Sequence, residues 1–329
     1  MITLNDYLYS GDTLLRILHN YSGDLRRDAR KSRNEIDLAH CNFLLQITEL
    51  LEHNDFLTAQ SQKIREFYKY MAREYPFLAF TFKGRIKSLI RAEEKFNGYI
   101  VEYIYDYHME HGTYPSVSEI KNRLTCFRDL IAYRIVISMP RCHLKSEQDR
   151  EKVEEKYLYK IANVLPAFLE ERGFTVESAR GIMESPSEFL RDEVRPYYRD
   201  YVAGKTPQDY RSLHITLYDN SSRCFMEVQL RTKSMDDVAE IGSANHRLYE
   251  KAQEKDRSRR EAIPEGECRY FDDAYERGMK LLNLQLKDLD VNMFAATDNS
   301  HVNDGCGLYR GRLILPYEHL SRFQTDSEE

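Results

Sequence analysis

Apolar and charged positions follow a helical period over the first 75 residues. Apolar residues recur at three- and four-residue intervals among charged ones, most clearly in segments 14–18, 38–51 and 64–71. This spacing puts the apolar side chains on one face of a helix and predicts a series of amphipathic helices. We expect Pro76 to end this region, because proline cannot continue a helix interior.

Strand patterns begin directly afterwards. Residues 77–82 predict a strand, and a helix is predicted from about Arg85 to His108. Helix N-termini favour acidic residues, so the basic start of that helix indicates anionic ligands nearby. Residues 130–137 are β-rich and predict a second strand, which stops at Pro140.

The remainder of the chain alternates helix and strand signals. A helix is predicted at 150–171, closed by Gly173, with a strand at 174–177. Segment 181–205 is polar and interrupted by Pro186 and Pro196, so we interpret it as an excursion flanking an active site. Strands 213–218 and 224–230 flank a segment of hairpin-turn composition and should be antiparallel. A last helix is predicted at 270–289, before an irregular tail.

Strands mixed with segregated helices predict an α+β fold with a mixed β-sheet flanked by helices. We expect three parts: an N-terminal helical region at 1–76, a mixed-sheet domain at 77–252, and a C-terminal helix and tail at 253–329. The charge-dense stretch 254–260, followed by residues 263–266 with their Pro and Gly, marks the second boundary.

Composition restricts the class of protein. The 329 residues are 42% hydrophobic and 31% charged, which predicts a folded chain. The net charge of -6 argues against a protein that binds nucleic acid over its whole surface, although a local basic site is still allowed. The six cysteines form no C-x-x-C pair, and neither a secretory pattern nor a membrane-spanning stretch is visible. We therefore expect a reducing, cytoplasmic location.

Charged residues at the edges of predicted elements point to phosphoryl-transfer chemistry. If the strands bearing Asp129 and Glu227 are neighbours, the two carboxylates can share Mg²⁺, which prefers carboxylate and phosphate oxygens. Arg85, Lys87 and Lys95 would neutralise a triphosphate. No Walker A sequence is present, so another arrangement must hold the nucleotide.

Six segments in order resemble the motifs of the RelA/SpoT synthetase domain, and the resemblance covers roughly residues 77–252. The matching segments are Gly84-Arg85-x-Lys87-Ser88, Asp129-Leu130-Ile131-Ala132-Tyr133-Arg134, Asp200-Tyr201-Val202-Ala203, Tyr210-x-Ser212-x-His214, Glu227-Val228-Gln229-x-Arg231-Thr232 and Ala239-Glu240-x-Gly242-x-Ala244-x-His246-x-x-Tyr249. Because the order of motifs is evidence beyond any single match, the set is more specific than its members.

The resemblance implies a nucleotidyltransferase-like fold and an alarmone synthetase of the stringent response. In that family ATP donates its β,γ-pyrophosphate to the 3′-oxygen of GTP or GDP, giving AMP and pppGpp or ppGpp. No His in the chain is directly followed by Asp, so the companion hydrolase of long members is expected to be absent. The chain is therefore similar to synthetase-only, small alarmone synthetases, whose members often assemble as homo-oligomers through terminal helices.

The resemblance also implies roles for individual residues. Asp129 would bind Mg²⁺, and Glu227 would help to hold the metal or take the proton of the 3′-hydroxyl. The expected ATP-binding residues are Arg85, Lys87, Ser88, Lys95 and Arg134. The expected GTP- or GDP-binding residues are Lys205, Tyr210 (stacked on guanine), Ser212, His214, Gln229 and Arg231. His246 and Tyr249 close the domain, with a structural or uncertain role.

Several alternatives stay open at this point. The family commonly has Gly before the stacking tyrosine, whereas this chain has Asp209, and the stretch between Ile137 and Asp200 is long. Both features leave room for a toxin-like relative that pyrophosphorylates the 3′ end of tRNA or an adenine nucleotide. A catalytically silent nucleotide-sensing module is the third alternative. For Arg134 two roles stay open: it binds an ATP phosphate, or it forms an ion pair with a neighbouring carboxylate.

Overall fold

The computed structural model describes residues 1–10, 12–52, 55–124, 127–145, 149–179, 187–204, 210–241, 254–284 and 313–314. The helices are α1 (Asn5–Leu8), α2 (Leu14–Ser32), α3 (Glu35–Glu52), α4 (Asp55–Glu74), α5 (Leu89–His111), α6 (Val117–Leu124), α7 (Arg150–Ala162), α8 (Leu165–Glu170), α9 (Lys233–Ile241), α10 (254–262) and α11 (Arg269–Leu282). The strands are β1 (Ala79–Ile86), β2 (Ile131–Ser138), β3 (Phe174–Val176), β4 (Tyr198–Asp200), β5 (Leu213–Asp219), β6 (Cys224–Thr232) and β7 (Leu313–Ile314).

The chain divides into two compact units. Among the described residues, the first unit contains those within Met1–Asn54, Lys87–Phe127 and Leu248–Pro316, and the second contains those within Asp55–Ile86 and Arg128–Arg247. The domain boundaries predicted at residues 76 and 252 stay predictions. Among the described helices, none combines the length and the apolar character that a membrane crossing requires.

Helices build the first unit. Helix α2 is capped at its N-terminus by Thr13, whose side chain accepts a hydrogen bond from the Arg16 amide, and at its C-terminus by Arg33 in the left-handed region. The Asn34 side chain then caps α3, accepting from the amides of Ile36 and Asp37 at 3.1 Å each. Buried apolar faces of α2 and α3 form part of the core, which confirms the amphipathic helices predicted here.

A buried ion pair links α11 to α3 in this unit. Arg277 donates to both carboxylate oxygens of Asp37, at 2.7 and 3.1 Å, and its Nε donates to the carbonyl of Ile2 at 3.2 Å. The two side chains are only 4% and 6% exposed. A charge buried to this extent is tolerated because its partner and its hydrogen bonds compensate for the lost water.

Replacing Asp37 with Ala is expected to destabilise the protein by about 3–5 kcal/mol, because the substitution leaves the buried guanidinium of Arg277 without its carboxylate. The matched control is Glu35→Ala on the same helix, since Glu35 is 59% exposed and pairs with Lys121 at 2.9 Å. That change should shift stability by less than about 1 kcal/mol. Urea unfolding followed by circular dichroism measures both, and equal losses would contradict the expectation.

The second unit contains a mixed sheet flanked by helices, as predicted. The strand order is β3-β5-β6-β2-β1, with β4 also paired to β5. Strands β2 and β6 are parallel, whereas the pairs β1/β2 and β5/β6 are antiparallel. Helices α7 and α9 both contact β6 and β2. The predicted hairpin is confirmed, and its turn is held by Asp219, which accepts from the Ser221 amide at 3.1 Å.

Several predicted element bounds were wrong. The helix expected from about Arg85 begins at Leu89, because β1 continues to Ile86 in a ladder with β2. The helix expected at 150–171 is divided into α7 and α8, with Pro166 in the first turn of α8, where its missing N–H does no harm. The polar excursion contains β4, and α11 ends at Leu282, while residues 285–289 lie outside the described part of the chain.

Candidate active site

A row of polar residues crosses five strands of the sheet at one level. In order across β4, β5, β6, β2 and β1 the row consists of Arg199, His214, Gln229, Arg134 and Lys83. Paired residues on adjacent strands point to the same face, and so do residues two positions apart on one strand. Glu227 and Arg231 on β6 therefore share this face, whereas Tyr133 and Val228 belong to the opposite, buried face.

Five side chains on this face form a closed hydrogen-bonded ring. His214 Nδ1 lies 3.1 Å from Glu227 Oε1, and Gln229 Nε2 donates to Glu227 Oε2 at 2.7 Å. Tyr210 Oη lies 2.9 Å from His214 Nε2. Arg231 Nη2 donates to Tyr210 Oη at 2.6 Å and to Gln229 Oε1 at 3.1 Å. We call this set the Glu227 ring.

The ring has a consistent direction of proton donation. An ionised carboxylate only accepts and a guanidinium only donates, so His214 must donate from Nδ1 to Glu227 and, when neutral, accept at Nε2 from the Tyr210 hydroxyl. One branch therefore runs from Arg231 through Tyr210 and His214 to Glu227, and the other runs through Gln229. Every donor in the ring meets an acceptor, which fixes the orientation of all five side chains.

Glu227 is ionised in this environment. Burial alone would raise the pKa of its carboxyl, but the hydrogen bond and charge of His214, the hydrogen bond of Gln229 and the charge of Arg199 lower that pKa to about 2. A carboxylate with so low a pKa is well suited to hold a cation. It is poorly suited to take a proton at neutral pH, because an efficient general base has a pKa near the working pH.

A second cluster surrounds Asp236 on α9. Lys83 Nζ donates to Asp236 Oδ2 at 2.9 Å, and Arg134 donates to Oδ1 at 2.9 Å. Arg231 donates to the same Oδ1 at 3.4 Å, so it belongs both to this cluster and to the Glu227 ring. The structure thus shows Arg134 in an ion pair with a neighbouring carboxylate, which is one of the two alternatives left open by the sequence.

Of the predicted carboxylate pair, only Glu227 lies on a strand of the sheet. Glu227 pairs with Ala132, whereas Asp129 precedes β2 and is three residues earlier in the chain than Ala132. Among the described residues, no group of three or more His, Cys, Asp or Glu side chains could hold a metal. Glu227 alone fits the usual Mg²⁺ arrangement of one or two carboxylates with substrate phosphates, and joint binding with Asp129 stays a prediction.

The other residues predicted to bind ATP or the acceptor nucleotide lie in different parts of the structure. Ser212 is fully buried, and its hydroxyl accepts from Arg231 Nε at 3.3 Å. Ser88 is the N-cap of α5, accepting from the Arg91 amide at 3.3 Å, and Lys95 Nζ lies 5.3 Å from the Tyr99 ring centroid. Arg85 lies on β1, in the second unit, whereas Lys87, Ser88 and Lys95 belong to the first unit. The remaining predicted positions, outside the described residues, are Lys205, His246 and Tyr249.

Three residues of this face were missed by the sequence interpretation. Lys83 continues the alternating run of Phe80, Thr81 and Phe82, so strict alternation would have placed it on the polar face. Arg199 lies on β4, in a segment interpreted as irregular. Asp236 lies on α9, directly after β6, and no local signal in the sequence distinguishes it from its exposed neighbour Asp237.

Comparison with a known family agrees with the motif resemblance. Residues 101–254 match the family model described as a region found in RelA / SpoT proteins. Residues 101–254 are similar to a RelA/SpoT region. The resemblance stated from the motifs is thereby confirmed over these residues, which include the whole Glu227 ring and Asp236. Lys83, Arg85, Lys87, Ser88 and Lys95 precede the matched RelA/SpoT region.

Two curated proteins illustrate the sequence similarity. The GTP pyrophosphokinase rsh of Brucella ovis is 42% identical over 52 residues, which is 16% of this chain and 7% of that protein. A probable guanosine-3′,5′-bis(diphosphate) 3′-pyrophosphohydrolase of Synechocystis is 33% identical over 114 residues, covering 32% of this chain and 15% of that protein. The chain thus spans only a small part of the curated relatives that it matches.

Solved structures of small alarmone synthetases also match. Small alarmone synthetase 1 of Bacillus subtilis bound to its product pppGpp is 19% identical, with a TM-score of 0.29, over 69% of this chain and 88% of that chain. Small alarmone synthetase 2 of the same organism is 18% identical, with a TM-score of 0.28, over 75% and 90%. TM-scores of this size do not establish an equivalent arrangement of elements.

Proposed function

We propose that this protein is an alarmone synthetase that transfers the β,γ-pyrophosphate of ATP to the 3′-oxygen of GTP or GDP, releasing AMP. The observation that carries the proposal is the polar face of the RelA/SpoT region, where an ionised Glu227 is joined through Gln229 to the cationic Arg231. Phosphoryl transfer depends on positioning and charge stabilisation more than on covalent chemistry by the protein, and this face offers both.

The cations of the Asp236 cluster are suited to the donor phosphates. Lys83 is 47% exposed, so its ammonium can reach a ligand while still paired with Asp236. Arg134 and Arg231 present planar guanidinium groups, which match phosphate oxygens in bidentate fashion. We assign Arg134 to the ATP phosphates, together with the predicted residues Arg85, Lys87, Ser88 and Lys95 of the N-terminal motif.

The Glu227 ring is suited to the acceptor nucleotide. Tyr210 is half-buried, and its hydroxyl is tied to His214 and Arg231, so the plane of its aromatic ring is fixed for stacking on guanine. Ser212 holds Arg231 from the other side. Gln229 and His214 hold Glu227 by its two oxygens, which fixes the orientation of the carboxylate. We include Lys205 among the acceptor residues on the basis of its motif.

Mg²⁺, if bound, would supply charge neutralisation for the transfer. Glu227, and Asp129 on the motif prediction, would hold it. The low pKa of Glu227 favours this role over that of general base. Assembly as a homo-oligomer remains a prediction of the family resemblance, and a cytoplasmic location remains a prediction from the cysteine pattern of the sequence.

Acceptor-dependent AMP release tests the proposal. Purified protein with ATP and Mg²⁺ should release AMP when GTP or GDP is added, and much less with GMP, excess ATP or bulk tRNA as the only acceptor. AMP release that depends on tRNA or on an adenine nucleotide would favour the toxin-like alternative. No AMP release with any acceptor would favour the silent sensing module.

A further inference from the structure

One buried carboxylate, Asp236, organises cations from three adjacent strands. Lys83 comes from β1, Arg134 from β2 and Arg231 from β6. The Asp236 side chain is 5% exposed, and the side chains of Arg134 and Arg231 are 10% and 3% exposed. Interactions this well buried are screened by water far less than surface ion pairs are.

The two guanidinium groups meet at a single oxygen. Arg134 donates to Asp236 Oδ1 at 2.9 Å and Arg231 donates to the same atom at 3.4 Å, while Lys83 takes Oδ2. Burial lowers the pKa of Arg231. Repulsion from the like charge of Arg134 lowers that pKa further. Although burial opposes it, hydrogen bonding to Lys83 and the charges of Arg134, Lys83 and Arg231 lower the pKa of Asp236, which is therefore ionised.

We propose that Asp236 is a positioning residue of the pyrophosphate transfer, which holds Arg134 and Arg231 close together so that donor and acceptor phosphates are bound side by side. This inference rests on the proposed function. Arg231 is also the donor that starts both branches of the Glu227 ring, so Asp236 links the cations expected at ATP to the residues expected at the acceptor. Asp236 itself touches cations and acts on substrates only through them.

A positioning role has a consequence that a packing role lacks. If the carboxylate restrains the cations, its neutralisation releases them and adds one unit of positive net charge to the face. Phosphate binding should then become tighter, since like-charge repulsion among the cations is relieved by the ligand's own negative charge. Turnover should nevertheless fall, because guanidinium groups that are displaced by about an ångström no longer stabilise the transition state.

The test compares Asp236→Asn with Asp237→Asn. Asp237 is the next residue on α9, is 45% exposed and pairs with Lys233, so its neutralisation controls for net charge and for the helix. Asp236→Asn is expected to lower kcat for AMP release about 10- to 100-fold, as for other residues that orient a functional group. The same variant should bind a non-hydrolysable ATP analogue about three- to tenfold more tightly by isothermal titration calorimetry. Asp237→Asn should match the wild type in both.

Asp236→Glu restores the charge and keeps the proposal testable if the Asn variant folds poorly. The Glu variant should bind the ATP analogue with an affinity near that of the wild type. Unchanged or weaker analogue binding by Asp236→Asn, or equal kcat for the Asn variants at 236 and 237, would overturn the inference. If the wild type releases no AMP with any acceptor, the proposed function fails, whereas the analogue-binding comparison still decides whether Asp236 restrains the phosphate-binding cations.

Discussion

Glu227→Gln is expected to reduce kcat for AMP release by about 10² to 10⁴-fold, the range observed for a carboxylate that acts directly in a reaction. The substitution keeps the shape of the side chain but removes its charge. It also places an amide NH₂ group against His214 Nδ1 or Gln229 Nε2, both of which donate to the native carboxylate. Initial rates of AMP release with saturating ATP and GTP measure the effect.

The control is Glu155→Gln, a partly exposed acid of the same unit that pairs with Arg211 at 2.7 Å. Its kcat should stay within about threefold of the wild type, since partly exposed pairs contribute little. If Glu227→Gln retained wild-type turnover, Glu227 would have neither a metal-binding nor a proton-accepting role.

The pH dependence of the wild type separates those two roles. The folded pKa of Glu227 is about 2, below its ordinary 4.5, so its ionisation contributes stability above pH 4.5 and this contribution is lost as the pH falls toward 2. Between pH 5 and 8 the residue remains charged throughout. A fall of kcat on the acid side near neutrality that Glu227→Gln abolishes would show a base of much higher pKa, and would contradict the environment described for this residue.

Tyr210→Ala is expected to lower kcat/KM for GTP or GDP about 10- to 100-fold, with little change in the KM for ATP. Stacking of a base on an aromatic side chain contributes about 1–3 kcal/mol. The truncation also removes the hydroxyl that joins Arg231 to His214, so both branches of the Glu227 ring lose order. Steady-state kinetics with each nucleotide varied in turn measure the effect.

Tyr210→Phe is the matched comparison, because it keeps the aromatic face and removes only the hydroxyl. We expect it to keep the KM for the acceptor within about threefold of the wild type and to lower kcat instead, since the link between Arg231 and His214 is broken while stacking remains. A rise in the ATP KM equal to the rise in the acceptor KM for Tyr210→Ala would place Tyr210 outside the acceptor site.

Much of this face could be predicted from local sequence. The alternation in 213–218 and 224–230, with turn residues between, specifies an antiparallel hairpin and puts His214, Glu227, Gln229 and Arg231 on one face. The motifs also placed Tyr210 near these residues, and the structure joins all five in the Glu227 ring. A two-residue period and a short turn are enough for such a prediction, because both act over few residues.

The rest depends on contacts between segments far apart in the chain. Lys83 and Asp236 are 153 residues apart, and only the pairing of β1 with β2 and the packing of α9 bring them together. The position of Asp129 along the sheet relative to Glu227 depends on the parallel register of β2 and β6, and no turn between these two strands specifies that register. Ser88 shows a further ambiguity, because a serine before a helix caps the helix as readily as it binds phosphate.

Identification of the product tests the central claim most directly. The protein is incubated with Mg²⁺, γ-labelled ATP and unlabelled GDP, and the labelled product is isolated and examined by mass spectrometry and ³¹P NMR. The account predicts a guanosine nucleotide with a diphosphate on its 3′-oxygen, formed in equal amount to AMP and strongly reduced in Glu227→Gln. Label found only in inorganic phosphate or in an adenine nucleotide would contradict it.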